Sequence, residues 1–263
     1  MTKCIVITGS TRGIGYNLAI AFLDRECAVT ISGRTREAIE EALNKLGEMY
    51  NRDLIYGFPC DVTDYIQVER LWENAKIHYG RIDIWINNAG IAAPRMSFWQ
   101  LTPEQYDEMV KTNILGTMYG TRVALTGMVS QGYGALYNME GFGARGRNMQ
   151  GMTLYGSTKA CVHFIDQSLA KETHDTPVII AAIAPGMMIT DLVTRQFKGR
   201  EQELERSKRI LNIIAERPKT VAPVLADKIL KNQKNGVTIA YSSYFGMLLK
   251  FLTAPFKKRD LFT

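Results

Sequence analysis

Tyr155 and Lys159 stand four residues apart in Tyr155-Gly156-Ser157-Thr158-Lys159, a spacing that puts both on one face of a helix. A nearby ammonium stabilises tyrosinate and draws a phenol pKa down from about 10 toward neutrality, which would make Tyr155 a proton donor and acceptor. The pair alone says little, because a helix can carry Tyr and Lys at that spacing by chance. A second constellation, Thr8-Gly9-Ser10-Thr11-Arg12-Gly13-Ile14-Gly15, separates a β-branched run from an apolar helical stretch. Glycines at a strand-to-helix turn let backbone N–H groups approach a pyrophosphate, and the helix N-terminus adds a favourable dipole. Gly9, Ser10, Thr11, Arg12, Gly13, Ile14 and Gly15 are therefore expected to cradle a dinucleotide.

Which dinucleotide is decided at the end of the second strand. A site selective for NAD places an acid about 20 residues onward, where it grips the ribose 2′-hydroxyl. Here that stretch reads Thr30-Ile31-Ser32-Gly33-Arg34-Thr35, with arginine in place of the acid. Arg34 and Arg12 converging on a 2′-phosphate argue for NADPH, since charge-assisted contacts distinguish the two cofactors. The plainer reading is two exposed arginines that serve solubility.

These residues need elements to hold them. Runs rich in β-branched residues at 3–8, 27–32, 53–58, 82–86, 134–139, 178–184 and 236–241 alternate with helix-length stretches near 13–25, 35–50, 64–79, 103–130, 154–175 and 219–232. Such alternation predicts an α/β fold, a doubly wound, seven-stranded parallel sheet of Rossmann type in a single domain covering 1–263. Thr102-Pro103-Glu104 reads as a helix cap followed by a first-turn proline.

Composition narrows the alternatives. With 263 residues, 46% hydrophobic and 22% charged, the chain fits one large globular domain. Cysteines 4, 27, 60 and 161 form no Cys-x-x-Cys pair, and histidines 78, 163 and 174 lack carboxylates at metal spacing, so no metal is expected. The net charge of +6 is scattered and no nucleic-acid motif accompanies it, so no nucleic-acid partner is expected. Neither a signal peptide nor a spanning stretch is apparent, and the expected location is cytoplasmic.

The glycine turn and the Tyr155–Lys159 helix come with Asp61-Val62, Asn87-Asn88-Ala89-Gly90, Asn113 and Pro185-Gly186-Met187-Met188-Ile189-Thr190. Together they resemble the short-chain dehydrogenase/reductase superfamily over essentially the whole chain. The resemblance implies that Asp61 and Val62 face the adenine and that Asn87, Ala89 and Gly90 line the cofactor. It further implies that Pro185, Gly186 and Thr190 meet its nicotinamide end, that Lys159 also holds the ribose, and that Asn113 positions a water in a proton relay through Lys159 to Tyr155. One departure stands out. Where most of the superfamily ends the fifth strand in a serine pair, this chain reads Asn138-Met139-Glu140-Gly141. Losing such a donor commonly costs about 10²- to 10³-fold in rate, so Asn138, Glu140 or the Gly141 backbone N–H is expected to orient the substrate instead.

That Asn-Met-acid-Gly sequence, the Tyr-Gly-Ser-Thr-Lys helix, Asn212-Ile213-Ile214-Ala215-Glu216 with Pro218-Lys219-Thr220-Val221-Ala222, and the basic aromatic terminus are similar to the chlorophyll b reductase branch. The branch implies NADPH-dependent reduction of the formyl group of chlorophyll b to hydroxymethyl. Methionines 149, 152, 187 and 188, in segments expected to wall the cleft, suit a large flat apolar substrate such as a tetrapyrrole, although core packing accounts for any one of them. Other readings are an NADP-linked reductase of a steroid-like, quinone or acyl-carrier ketone, or a sensor that binds NADPH without turnover. Two segments remain. Residues 187–217 read as a substrate lid, or else as a solvated helical excursion. Residues 244–263, apolar and then basic, read as a peripheral membrane contact or as packing on the cleft or a neighbouring subunit. Helices 103–130 and 154–175 resemble those that build homodimers and homotetramers in the superfamily.

Overall fold

The computed structural model describes residues 2–197, 201–242, 250, 252–253 and 259–262. Seven parallel strands form one sheet: β1 (Cys4–Ile7), β2 (Ala28–Gly33), β3 (Ile55–Pro59), β4 (Ile84–Asn87), β5 (Gly134–Met139), β6 (Val178–Ala184) and β7 (Thr238–Ala240). Their order is β3-β2-β1-β4-β5-β6-β7. The chain builds outward in one direction to β3, then returns to the middle for β4 and builds the other way. That reversal between β1 and β4 opens a crevice beyond the carboxyl ends of the strands, where open α/β sheets bind their ligands.

Alternation along the strands feeds two cores. On one face Ile5, Ile7, Val29, Ile31 and Ile183 pack against α1 (Gly13–Leu23), α2 (Arg36–Gly47) and α9 (Pro218–Lys231) through Leu18, Phe22, Leu46 and Leu225. On the other, Val6, Trp85, Leu136 and Ile180 meet α3 (Tyr65–Tyr79) and α5 (Gly116–Gln131) through Leu71, Trp72, Val123 and Met128. α6 (Thr153–Glu172) runs beside β6.

Several expected bounds shift, among them the starts of β4 and β7, each two residues later than expected. The helix expected over 103–130 is α4 (Pro103–Val110), capped by Thr102 as anticipated, then one π turn at Lys111–Leu115, then α5. Strand β3 begins two residues later than expected, because Arg52–Leu54 form a short 3-10 turn in which Asn51 Oδ1 accepts from Asp53 N. The expected lid contains α7 (Asp191–Thr194), a 3-10 turn at Arg195–Phe197 and α8 (Glu201–Ile214).

Candidate active site

The glycine turn leaves β1 and enters α1 in a conformation only glycine adopts readily: Gly9 and Gly13 have φ of +61° and +62°. A Cβ on Gly9 would come within 2.8 Å of Ala89 Cα, and one on Gly15 within 2.8 Å of the Gly9 carbonyl oxygen. The close approach is held by two residues that the sequence reading did not single out. Asn88 Nδ2 donates to the carbonyls of Thr8 (2.8 Å) and Gly9 (3.0 Å), while Thr8 Oγ1 accepts from the N–H groups of Asn88 (3.0 Å) and Ala89 (3.1 Å). The turns after β1 and β4 are thereby one rigid unit. Ser10 ties it to β2, its hydroxyl donating to Ile7 O and accepting from Ser32 N.

Around this unit the expected cofactor residues fall as follows. Thr11 lies against Gly33, and Ile14 packs on the core. Arg12 precedes α1 with an exposed side chain 3.8 Å from Asp191 of α7, and Arg34 is exposed at the end of β2. Asp61 Oδ1 accepts from Thr63 N and Oγ1, while Val62 is buried against Gly116. Gly90 faces the π turn and α6, since a Cβ there would stand 3.3 Å from Asn113 Oδ1 and 3.7 Å from Lys159 Nζ. Beyond β6, Pro185 is buried, Gly186 has φ +78°, and Thr190 precedes α7.

Tyr155 lies in the first turn of α6, half-buried, with Lys159 one turn on; Lys159 Nζ donates to Met139 O at 2.9 Å and lies 5.9 Å from the Tyr155 ring centre. Gly141 is what makes room. A Cβ there would fall inside contact distance of the Tyr155 hydroxyl and within 3.1 Å of its Cζ and 3.2 Å of Lys159 Cγ. Tyr155 thus occupies the space that a side chain at position 141 would need. One expectation is corrected here: the phenol pKa is not lowered. Burial pushes Tyr155 up to about 12 and pushes Lys159 down to about 8, with Asp166 and Glu140 opposing the lysine shift.

Three further residues do other work than expected. Asn138 and Asn87 are paired across β5 and β4, and both side chains are spent inside the sheet. Asn87 Nδ2 donates to Asn138 Oδ1 (2.8 Å), Asn87 Oδ1 accepts from Trp85 Nε1 (2.8 Å), and Asn138 Nδ2 donates to Asp166 Oδ1 (2.5 Å). Neither amide is left for substrate or cofactor. Glu140 turns away as well: its buried carboxylate pairs with His163 Nδ1 (2.6 Å) and Arg145 Nε (3.4 Å). Of the three candidates for the serine's role, only the Gly141 backbone adjoins Tyr155. Asp166, seven residues after Lys159 on the same helix, is buried and pushed up to about 8 by desolvation. An acid at that position on the Tyr155–Lys159 face was the signal available in the sequence.

Asn113 sits in the π turn, fully buried. Its side chain accepts from Ile91 N (2.8 Å) and donates to Ile91 O (2.9 Å) and Thr158 Oγ1 (3.1 Å). For a relay it has only its backbone carbonyl, which already accepts from Thr117 Oγ1 at 2.8 Å. Of the four methionines, Met188 belongs to the main core, Met149 is exposed, and Met152 and Met187 are half-buried. The described tail residues fold back on the protein. Lys250 Nζ and Arg259 each approach Glu216 to 2.6 Å, and Leu261 N donates to Asn212 Oδ1. Burial works against the Glu216 charge, but these two cations hold its carboxyl below the usual range. Arg259 of the basic cluster is therefore committed to an internal pair, while residues 243–249, 251, 254–258 and 263 lie outside the described residues.

A glycine turn at the sheet crevice, with Tyr and Lys on one helix face beside it, is matched by a family model. The model, described as short chain dehydrogenase, aligns with residues 3–201. The chain belongs to the short-chain dehydrogenase family. It is an oxidoreductase of that family. Its relatives include the rice protein named probable chlorophyll(ide) b reductase NYC1, 34% identical over 95% of this chain and 52% of that protein. The Arabidopsis thaliana protein named chlorophyll(ide) b reductase NOL is 36% identical over 86% of this chain and 64% of its own length. The chain thus spans about half to two thirds of these plant relatives. An uncharacterized oxidoreductase of Staphylococcus aureus is 32% identical over 77% of this chain and 85% of that one. Among solved structures, ElxO with NADP bound superposes with a TM-score of 0.80 at 28% identity, covering 92% of this chain and 97% of ElxO.

Proposed function

We propose that this short-chain dehydrogenase uses NADPH to reduce the carbonyl of a large apolar aldehyde, and that the substrate is the formyl group of chlorophyll b or chlorophyllide b, which becomes hydroxymethyl. The observation that carries the reading is the Tyr155 hydroxyl beside Lys159 at the carboxyl end of the sheet, next to the glycine turn. The residues fit the cofactor: a Cβ on Gly13 would meet nothing within 4 Å, and the first turn of α1 has neither an acidic residue nor a side-chain cap, so its N–H donors face outward for phosphate. Bound NADP, as in ElxO, further supports NADPH.

When bound, the cofactor supplies hydride to the carbonyl carbon. The Gly9–Gly15 backbone holds the pyrophosphate, and Arg34 with Arg12 holds the 2′-phosphate. The Arg12–Asp191 pair is long and exposed, so releasing it costs little. Asp61 and Val62 border the adenine, Ala89 and Gly90 flank the cofactor, and Pro185, Gly186 and Thr190 border its nicotinamide end. Lys159 holds the ribose. Tyr155, protonated at neutral pH, gives its proton to the carbonyl oxygen, which the Gly141 N–H orients. Asn113, through its backbone carbonyl, positions the water of a proton relay that runs through Lys159 to Tyr155.

The chlorophyll substrate rests on the plant relatives' names and on the apolar cluster of Ile91, Met96, Leu154 and Tyr155. A homodimer or homotetramer through α5 and α6 goes with this reading, since Met118, Val129 and Phe164 expose apolar side chains there. A cytoplasmic location is also part of the proposal, whereas the plant relatives are named chloroplastic; no described helix is long and apolar enough to cross a membrane. Incubating protein and NADPH with chlorophyllide b, chlorophyll b and a ketone panel tests the assignment by loss of the formyl-shifted absorption band. Conversion of a ketone alone moves the substrate to that class, and conversion of none favours a sensor.

A further inference from the structure

Arg95, on the segment between β4 and α4, has no acid beside it among the described residues. Its Nε is buried and has no hydrogen-bond partner among them. One Nη lies 3.1 Å from Met149 Sδ, a weak acceptor, and the guanidinium stands 5.6 Å from the Phe197 ring centre on the lid. No carboxylate among the described residues pairs with it, whereas Arg145 nearby in sequence to the site is paired with Glu140. The Arg95 backbone is fixed from two sides. Its N–H donates to Gln196 O of the lid at 3.2 Å, and a Cβ on Gly151 would come within 3.3 Å of its carbonyl carbon. The next residue, Met96, packs in the apolar cluster that carries Tyr155.

A buried donor left unmatched costs roughly 1–3 kcal/mol. Here the unmatched donor belongs to a guanidinium one residue from the wall of the reaction site, where the lid, the loop after β4 and the loop after β5 meet. A guanidinium fork fits a carboxylate, accepting no proton and offering two parallel N–H groups. We propose that Arg95 selects substrates bearing a carboxylate, so that the preferred carbonyl compound is a flat apolar free acid and not its ester. The inference rests on the cleft beside Tyr155 being the substrate site.

The test pairs each free acid with its methyl ester: chlorophyllide b with its propionate methyl ester, and para-carboxybenzaldehyde with its methyl ester. Binding to the protein loaded with NADP⁺, which cannot donate hydride, is measured by equilibrium dialysis, and turnover by NADPH consumption. The acids are expected to bind roughly 10- to 100-fold tighter than the esters. Arg95→Gln should erase that preference, and Arg95→Lys should keep part of it, with NADPH affinity unchanged in both. Equal binding of acid and ester by the unmodified protein, or a preference that survives Arg95→Gln, overturns the proposal. Because the benzaldehyde pair and the dialysis need no chlorophyll turnover, an acid preference without chlorophyllide reduction would refute the substrate assignment and leave the role of Arg95 standing.

Discussion

Restoring the missing serine is expected to harm this protein. In Gly141→Ser the new Cβ would press on the Tyr155 hydroxyl, with Tyr155 Cζ at 3.1 Å and Lys159 Cγ at 3.2 Å. Carbon pairs are comfortable at about 3.5–4.0 Å, so the ring and the lysine stem must retreat by on the order of 0.5–1 Å. A displacement of about 1 Å at a reacting group costs about 10²-fold in rate, and overpacking costs about 1–3 kcal/mol. The expectation is therefore a loss of about 10²-fold in kcat/KM, with a melting temperature lower by roughly 2–10 °C and NADPH affinity within about twofold of the original. Gly141→Ala should show the same loss, because the clash is with Cβ and not with the hydroxyl. Initial rates of NADPH consumption and thermal melts on both variants check this. A Gly141→Ser protein as fast as the original would refute the argument that glycine is here to admit Tyr155.

Burial pushes Lys159 down to about 8 and Tyr155 up to about 12, so the reduction rate should fall as pH rises through about 8, when the lysine loses its proton; a profile flat to pH 10 would contradict this. Asp166 is pushed up from 3.8 to about 8 by burial. The folded protein keeps a proton that the unfolded chain releases, and this group's contribution to stability falls as pH rises across that window. Asp166→Asn should accordingly gain melting temperature over the original protein progressively between pH 5 and 8, and an advantage independent of pH would refute the assignment. Arg34→Asp should weaken NADPH binding by roughly 10- to 100-fold and NADH binding far less, measured by fluorescence titration.

Local sequence was most informative where the chemistry is itself local. The glycine turn announces its own conformation, and Tyr155 and Lys159 share a helix face through spacing alone. Side-chain direction at the end of β5 was not legible in that way. Asn138 is polar in a strand whether it faces substrate or core, and only its pairing with Asn87 across the sheet, with Asp166 beneath, fixes it inside. Glu140 likewise depends on where His163 and Arg145 arrive. The π turn at Asn113 escaped because its flanking helices continue the same apolar pattern. The pKa expectation for Tyr155 failed because it counted the ammonium and not the burial.

The central claim is hydride transfer to a carbonyl with proton donation by Tyr155. The direct measurement supplies NADPH deuterated at its transferable hydride and follows chlorophyllide b by mass spectrometry. The account predicts a single deuterium on the new carbinol carbon of the hydroxymethyl product, and no product from Tyr155→Phe, which still binds NADPH like the original protein. Product without deuterium, or full turnover by Tyr155→Phe, would contradict it.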